Sequence, residues 1–239
     1  MSGENCSPKL ILSLGGAFNP VHTQHVALMC LARDWINSNS PYTVISGVLA
    51  VAPDGYVKGK MRRSGQKTMQ AKHRIELCRL ACQAHSDWLT PYSKPCGSAL
   101  EAAKKTKEEM PSKEDVCLAI VIGADRAITA NGPKWICSKK PDYIRVCIGR
   151  KGESAPVKER WENDLNAGRV NFLDQFIFVP LDAEAVSSTE VRRYLEDVWK
   201  SGEKQVKVKV LESLVQRNVL ENDELAEYLL QNEGDLFVS

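Results

Sequence analysis

The 239-residue chain contains no apolar run of about 18 residues, the length a helix needs to cross a bilayer, so no transmembrane helix is expected. Met1 to Lys9 is polar, and the apolar stretch after it stops at glycine within a few residues. Neither a signal peptide nor an arginine-rich presequence is therefore expected in this segment. There is little excess charge of either sign: 32 basic and 30 acidic residues leave a formal +2. Such a balance argues against whole-surface binding of nucleic acid or anionic membrane, and both are expected to be absent as partners. Eight cysteines are present but none forms a Cys-x-x-Cys pair. Most lie in apolar runs, where a reduced thiol packs as a small hydrophobe, so a reducing compartment is expected: the cytoplasm, with the nucleus as the alternative. Cys78, Cys82 and His85 share a helical face, yet no second Cys/His pair completes a tetrahedral site, so no metal ligands are assigned. Only four histidines occur, and two of them fall in one short turn.

What is present is an ordinary globular composition, 43% hydrophobic and 26% charged, patterned as short apolar runs alternating with helical stretches. This predicts an α/β fold, a Rossmann-like, doubly wound and mainly parallel sheet with a helical C-terminal portion. A single domain is expected over 1–239, with the sheet in 9–186 and the helical part in 187–239. Strands are predicted at Lys9–Leu14, Tyr42–Ala50, Trp88–Tyr92, Val116–Ile122, Tyr143–Ile148 and Gln175–Val179. Val116–Ile122 is apolar without alternation and should lie centrally. Helices are predicted at Thr23–Asn37, Gln66–His85, Ser98–Met110, Val157–Asn166, Ser188–Lys200, Val206–Gln216 and Asp223–Leu230. Ala52–Gly65, with Pro53, three glycines and a basic cluster, reads as a loop.

Two segments carry anion chemistry. In Gly15-Gly16-Ala17-Phe18-Asn19-Pro20-Val21-His22-Thr23-Gln24-His25, a buried strand runs into paired glycines and then a helix start. Small residues let the backbone approach a phosphate, and free N–H groups at the helix start favour negative charge. His22 and His25, three apart, share a face and can donate to one group. In Ser187-Ser188-Thr189-Glu190-Val191-Arg192-Arg193 the Ser-x-x-Glu pattern marks a helix start, and Arg192 can fork onto phosphate oxygens. Alone, the second segment reads equally well as a plain capped helix.

Together the two resemble the HxGH-type nucleotidyltransferases, and Gly-x-Phe-Asn-Pro resembles the nicotinamide mononucleotide adenylyltransferases within them. Gln24 stands where bacterial members commonly have glycine. The resemblance spans roughly Leu10 to Leu230 and implies transfer of the adenylyl group of ATP to nicotinamide mononucleotide, and to its nicotinate form. The products would be NAD or its deamido form, with pyrophosphate. It implies catalytic roles for His22, His25, Lys58 and Arg192. Nucleotide contacts are implied for Gly16, Ala17, Phe18, Thr106, Gly123, Asp125, Lys134, Trp135, Arg150, Ser188 and Thr189, with Mg²⁺ carried in on ATP. Lys58 enters through Asp54-Gly55-Tyr56-Val57-Lys58, which resembles the family's Asp-x-Tyr-x-Lys segment. Trp135 would stack on the pyridine ring, against a bland reading as a core anchor. A second tryptophan of animal members falls around Ala103 and Thr106, where Ala103 cannot stack and Trp88 or Tyr92 is the alternative, and the loop before His73-Arg74 is longer than theirs. Two alternatives stay open: a related transferase with another acceptor, and a nucleotide-binding, chaperone-like protein on the same scaffold. A homo-oligomer is left open.

Overall fold

The computed structural model describes residues 7–150, 154–183, 188–200 and 202–238, without the side chains of Arg150, Asp182, Ala183, Ser188, Thr189, Glu190 and Asp197. Cys6 and Ser187 lie outside the described residues. The strands are β1 (Lys9–Gly16), β2 (Thr43–Val51), β3 (Leu89–Pro91), β4 (Val116–Gly123), β5 (Ile128–Thr129), β6 (Gly132–Pro133), β7 (Ile144–Arg150) and β8 (Phe176–Ala183). The α-helices are α1 (Thr23–Asn39), α2 (Asp54–Arg62), α3 (Ala71–Ala81), α4 (Ala99–Glu109), α5 (Ser154–Asn166), α6 (Ser188–Lys200), α7 (Lys204–Gln216) and α8 (Asp223–Gln231). Six strands form one mainly parallel sheet in the order β3-β2-β1-β4-β7-β8, and β5 and β6 form a separate antiparallel pair. No helix among the described residues is long and apolar enough to cross a membrane. The contacts divide the chain into two compact units, built from interleaved stretches of sequence.

The first unit comprises Met1–Leu14, Ala27–Val48 and Ala99–Ala185. Its core follows from the apolar runs. β4 pairs in parallel with Lys9–Leu14 of β1 on one side and with β7 on the other, as an unbroken Val/Ile/Leu run requires. Leu10, Ile11, Leu12, Val146, Cys147 and Ile148 are fully buried, each side chain contributing about 1.5–3 kcal/mol where it is large. From α1, Met29, Ala32 and Ile36 bury the matching helical stripe.

The second unit comprises Gly15–Val26, Leu49–Ser98 and Val186–Ser239. Two expectations are corrected here. Ala52–Gly65 is not a loop but carries α2. Pro53 caps it, and Val57 and Met61, four apart, bury one face. Gly55 and Gly59 line the open side, where an added Cβ would meet nothing within 4 Å. Second, α3 starts only at Ala71, because Thr68–Gln70 is extended and pairs with a later segment. Met69 and Phe237 form an antiparallel bridge, Val238 N–H donates to the Thr68 carbonyl (2.8 Å) and Gln70 N–H to that of Leu236 (2.8 Å). Nothing in the sequence pattern announces this strap.

Candidate active site

The glycine turn at the end of β1 is shaped by one aromatic ring. Phe18 adopts the left-handed region (φ 43°), sparsely used by residues with a side chain, and its ring turns back under Gly16. A Cβ on Gly16 would stand 2.9 Å from that ring, so only glycine fits. The buried Phe18 ring meets His25 edge-on, with centroids 4.9 Å apart. His22 immediately precedes α1, and its backbone N–H donates to Nδ1 of His25 (3.2 Å). The two imidazoles lie 3.9 Å apart, so the structure brings them together as the spacing predicts. With Nδ1 accepting from His22, a neutral His25 ring would carry its proton on Nε2. Thr23, the first residue of α1, is held by the carbonyls of Asn218 (Oγ1, 2.7 Å) and Val219 (N–H, 3.3 Å).

A buried arginine fixes the rest of the turn. Arg74 of α3 is fully enclosed and donates to the carbonyls of Ala17 (Nη1, 2.8 Å) and Met69 (Nε, 2.9 Å) and to Asp54 Oδ1 (Nη2, 2.7 Å). Burial pulls its pKa down, and the Asp54 carboxylate works against that. Asp54 opens α2, so Lys58, one turn on and exposed, shares the face that looks toward Arg74. Asn19 closes the arrangement: its side chain donates to the Lys67 carbonyl (3.0 Å) and accepts from Met69 N–H (2.7 Å). Arg192, in the first turns of α6, donates through Nη1 to the Asn19 carbonyl (3.2 Å) and through Nε to Gln66 Oε1 (2.6 Å). The start of α6 and the turn before α1 therefore meet in one unit. His22, His25, Gly16, Ala17, Phe18, Lys58 and Arg192 all belong to it, as does the backbone of Ser188 and Thr189.

The remaining expected residues lie in the first unit. Gly123 ends β4, and a Cβ there would collide with the exposed carboxylate of Asp125, which folds back over it. Gly123, not Asp125, occupies the N-cap of the following 3₁₀ turn. Lys134 is exposed, and Thr106 is half-buried on α4 beside the buried Ala103. Arg150 ends β7, its side chain outside the described residues. Trp135 requires correction. Only 2% exposed, it packs edge-on against Trp161 and Phe176 and donates its indole N–H to Asp164 (2.9 Å). An indole so enclosed is a core anchor, with no open face for a pyridine ring. Asp164 is itself buried; burial would raise its pKa, but donation from Trp135, Arg160 and Arg169 outweighs that and holds it low.

A profile of the cytidylyltransferase-like family matches residues 13–194, a span that contains both the glycine–histidine turn and the Ser-Ser-Thr segment that opens α6. The chain belongs to the cytidylyltransferase-like family. Among curated relatives, it is 25% identical over 205 residues to a nicotinamide/nicotinic acid mononucleotide adenylyltransferase of Oryza sativa subsp. japonica, covering 78% of this chain and 76% of that protein. It is 31% identical over 86 residues to nicotinamide/nicotinic acid mononucleotide adenylyltransferase 2 of Xenopus tropicalis. That match covers 36% of this chain and spans only a quarter of the frog protein (25%). Among solved structures, the Plasmodium falciparum nicotinic acid mononucleotide adenylyltransferase complexed with NaAD shares the fold. Its TM-score is 0.53 at 13% identity, over 97% of this chain and 99% of that one.

Within this family scaffold, four residues that position the site were not assigned roles by sequence reasoning: Asn19, Asp54, Gln66 and Arg74. Arg74 had a readable signal. It lies on the apolar face of α3 with Leu77, Cys78 and Ala81, and a guanidinium buried there demands acceptors. Asn19 and Asp54 sit inside the motifs themselves, but spacing gives no hint that they bind backbone and Arg74. Gln66 has no sequence signature.

Proposed function

We propose that this protein transfers the adenylyl group of ATP to nicotinamide mononucleotide or its nicotinate form, releasing pyrophosphate. One observation carries the reading: Arg192 at the start of α6 donates to the carbonyl of Asn19 in the turn before α1, beside the close, tilted His22–His25 pair. Two helix N-termini, two imidazoles and a guanidinium in one seat suit a triphosphate. The names of the relatives supply the acceptor. With Trp135 enclosed, no aromatic platform for the pyridine is assigned, so acceptor choice rests on those names.

The acceptor's phosphate oxygen forms a bond to the α-phosphorus of ATP as the bond to the α,β-bridging oxygen breaks, and pyrophosphate leaves with that electron pair. The attacking oxygen is already anionic, so no general base is needed. Alignment and charge stabilisation supply the rate. His25 Nε2–H and His22 serve the α- and β-phosphates; Lys58 and Arg192 hold the departing pyrophosphate, with the α6 N-terminus at Ser188 and Thr189. Gly16, Ala17 and Phe18 shape the turn. Mg²⁺ enters as part of the nucleotide substrate, keeping much of its water. Nucleotide contacts are assigned to Gly123, Asp125, Lys134, Thr106 and Arg150 through the family resemblance alone. All seven cysteines among the described residues are free thiols, which supports a reducing compartment, cytosol or nucleus.

The test is incubation with MgATP and, separately, the amide mononucleotide, the acid mononucleotide and unrelated phosphate acceptors, following pyrophosphate and dinucleotide. Dinucleotide from either pyridine acceptor supports the reading. Pyrophosphate release only with an unrelated acceptor would reassign the acceptor, and ATP binding without turnover would favour the chaperone-like alternative.

A further inference from the structure

Arg192 does not reach the phosphate turn unaided. Its Nε donates to Gln66 Oε1 at 2.6 Å, and its Nη1 to the Asn19 carbonyl at 3.2 Å. These two partners are neutral oxygens, while the Glu196 carboxylate, one turn further along α6, acts on the guanidinium through its charge. Gln66 is itself fixed. Gly65 adopts a left-handed φ of 66°, and across that turn Gln66 N–H donates to the Met61 carbonyl at the end of α2 (3.2 Å).

The following residues are clamped on both edges. Asn19 binds Lys67 and Met69 on one side; the strap through Leu236 and Val238 binds Thr68 and Gln70 on the other. Phe237 of the strap meets Trp199 edge-on (5.1 Å) and lies under Lys67 Nζ (5.2 Å). Trp199 stands on α6, two turns beyond Arg192. Helix α6 is thus tied at one end to Gln66 and at the other to the strap that holds the Thr68–Gln70 strip. This closed circuit fixes where the guanidinium points.

We propose that Gln66 is a positioning residue for Arg192, a neutral tether that aims the guanidinium at the pyrophosphate half of the nucleotide. The proposal rests on the reading of Arg192 as a phosphate ligand. A carboxylate in the same place would bind Arg192 as an ion pair and compete with the ligand. An apolar side chain would release it.

The test measures the inhibition constant of pyrophosphate and the KM values of MgATP and mononucleotide for Gln66→Leu, Gln66→Glu and Arg192→Ala, and for Gln66→Leu combined with Arg192→Ala. Gln66→Leu should weaken pyrophosphate and MgATP about 5-fold and Gln66→Glu about 10-fold or more, as loss or capture of one charged hydrogen-bond donor implies. The mononucleotide KM should stay within about twofold in each, a split that general loosening of the fold would not give. In the Arg192→Ala background, Gln66→Leu should have no further effect. If Gln66→Leu weakens pyrophosphate equally with and without Arg192, Gln66 acts on its own and the tether is refuted. Full pyrophosphate affinity in both Gln66 variants, with Arg192→Ala impaired, also refutes it. An unimpaired Arg192→Ala would instead refute the phosphate role of Arg192.

Discussion

At the scale of single residues, the imidazole pair is governed by its neighbours as much as by its own chemistry. His25 receives an N–H from His22 on Nδ1 and the edge of Phe18 on its ring, so its Nε2–H has a defined direction. His25→Ala should lower kcat by about 10²-fold in a protein that still folds, the scale for losing one transition-state donor, measured by steady-state kinetics. Gly16→Ala should copy much of that loss. Its Cβ would displace the Phe18 ring and, through it, His25, so kcat should fall at least about 10-fold, by analogy with a misplaced catalytic donor. If Gly16→Ala changed only the KM for MgATP, glycine would be serving phosphate approach alone, and the ring would have no part. The histidines and the glycines were legible in the sequence because their chemistry is local. Phe18's turn beneath Gly16 was not, since a left-handed phenylalanine is decided by packing.

Secondary-structure elements separate what is locally encoded from what is not. The strands and most helices lie within a few residues of their expected bounds because apolar runs and periodicity specify them. α2 was hidden by its glycines. They sit where a Cβ would meet nothing, while Val57 and Met61 quietly keep helical spacing. Gly59→Ala should therefore stabilise the protein by about 0.5–1 kcal/mol, read as a higher thermal midpoint; in a true loop it would not. The late start of α3 and the strap escaped notice for a different reason: residues 68 and 237 are brought together only by the tertiary fold. Arg74 shows the same dependence. Arg74→Met would leave the Ala17 and Met69 carbonyls without their donor and Asp54 without its counter-ion. It should cost about 2–4 kcal/mol in chemical denaturation. Trp135 is the converse case, its position readable from a motif but its environment set by Asp164 and the aromatic cluster.

For the molecule as a whole, the carboxylates define a pH window. Asp164 and Asp235 are held below the ordinary range; Lys72, Gln70 and His73 bring Asp235 down to about 2. Groups lowered in this way stabilise the fold above their unfolded pKa, and the contribution fades as pH falls toward the folded value. Glu221 has the opposite sign, because burial raises it to about 7. Its contribution is complete below the usual carboxyl pKa and is lost as pH rises through about 7, where the folded state must ionise a buried group. Glu221→Gln should thus leave stability unchanged at pH 4. At pH 8 it should raise stability by about 1–2 kcal/mol, after allowance for partial solvent exposure, and thermal melts at the two pH values compare them. Equal shifts at both would remove Glu221 from the pH response.

The interleaving of the two units also bears on how the protein is born. The histidine turn leaves the ribosome early, while its guanidinium counterpart on α6 follows much later, after all of the first unit has been made. On the proposed function, a nascent chain therefore holds half of the nucleotide seat for most of its synthesis. On that same reading, nucleotide can act as a folding template only at a late stage, when long-range contacts such as Thr23 with Asn218 and Met69 with Phe237 close the second unit.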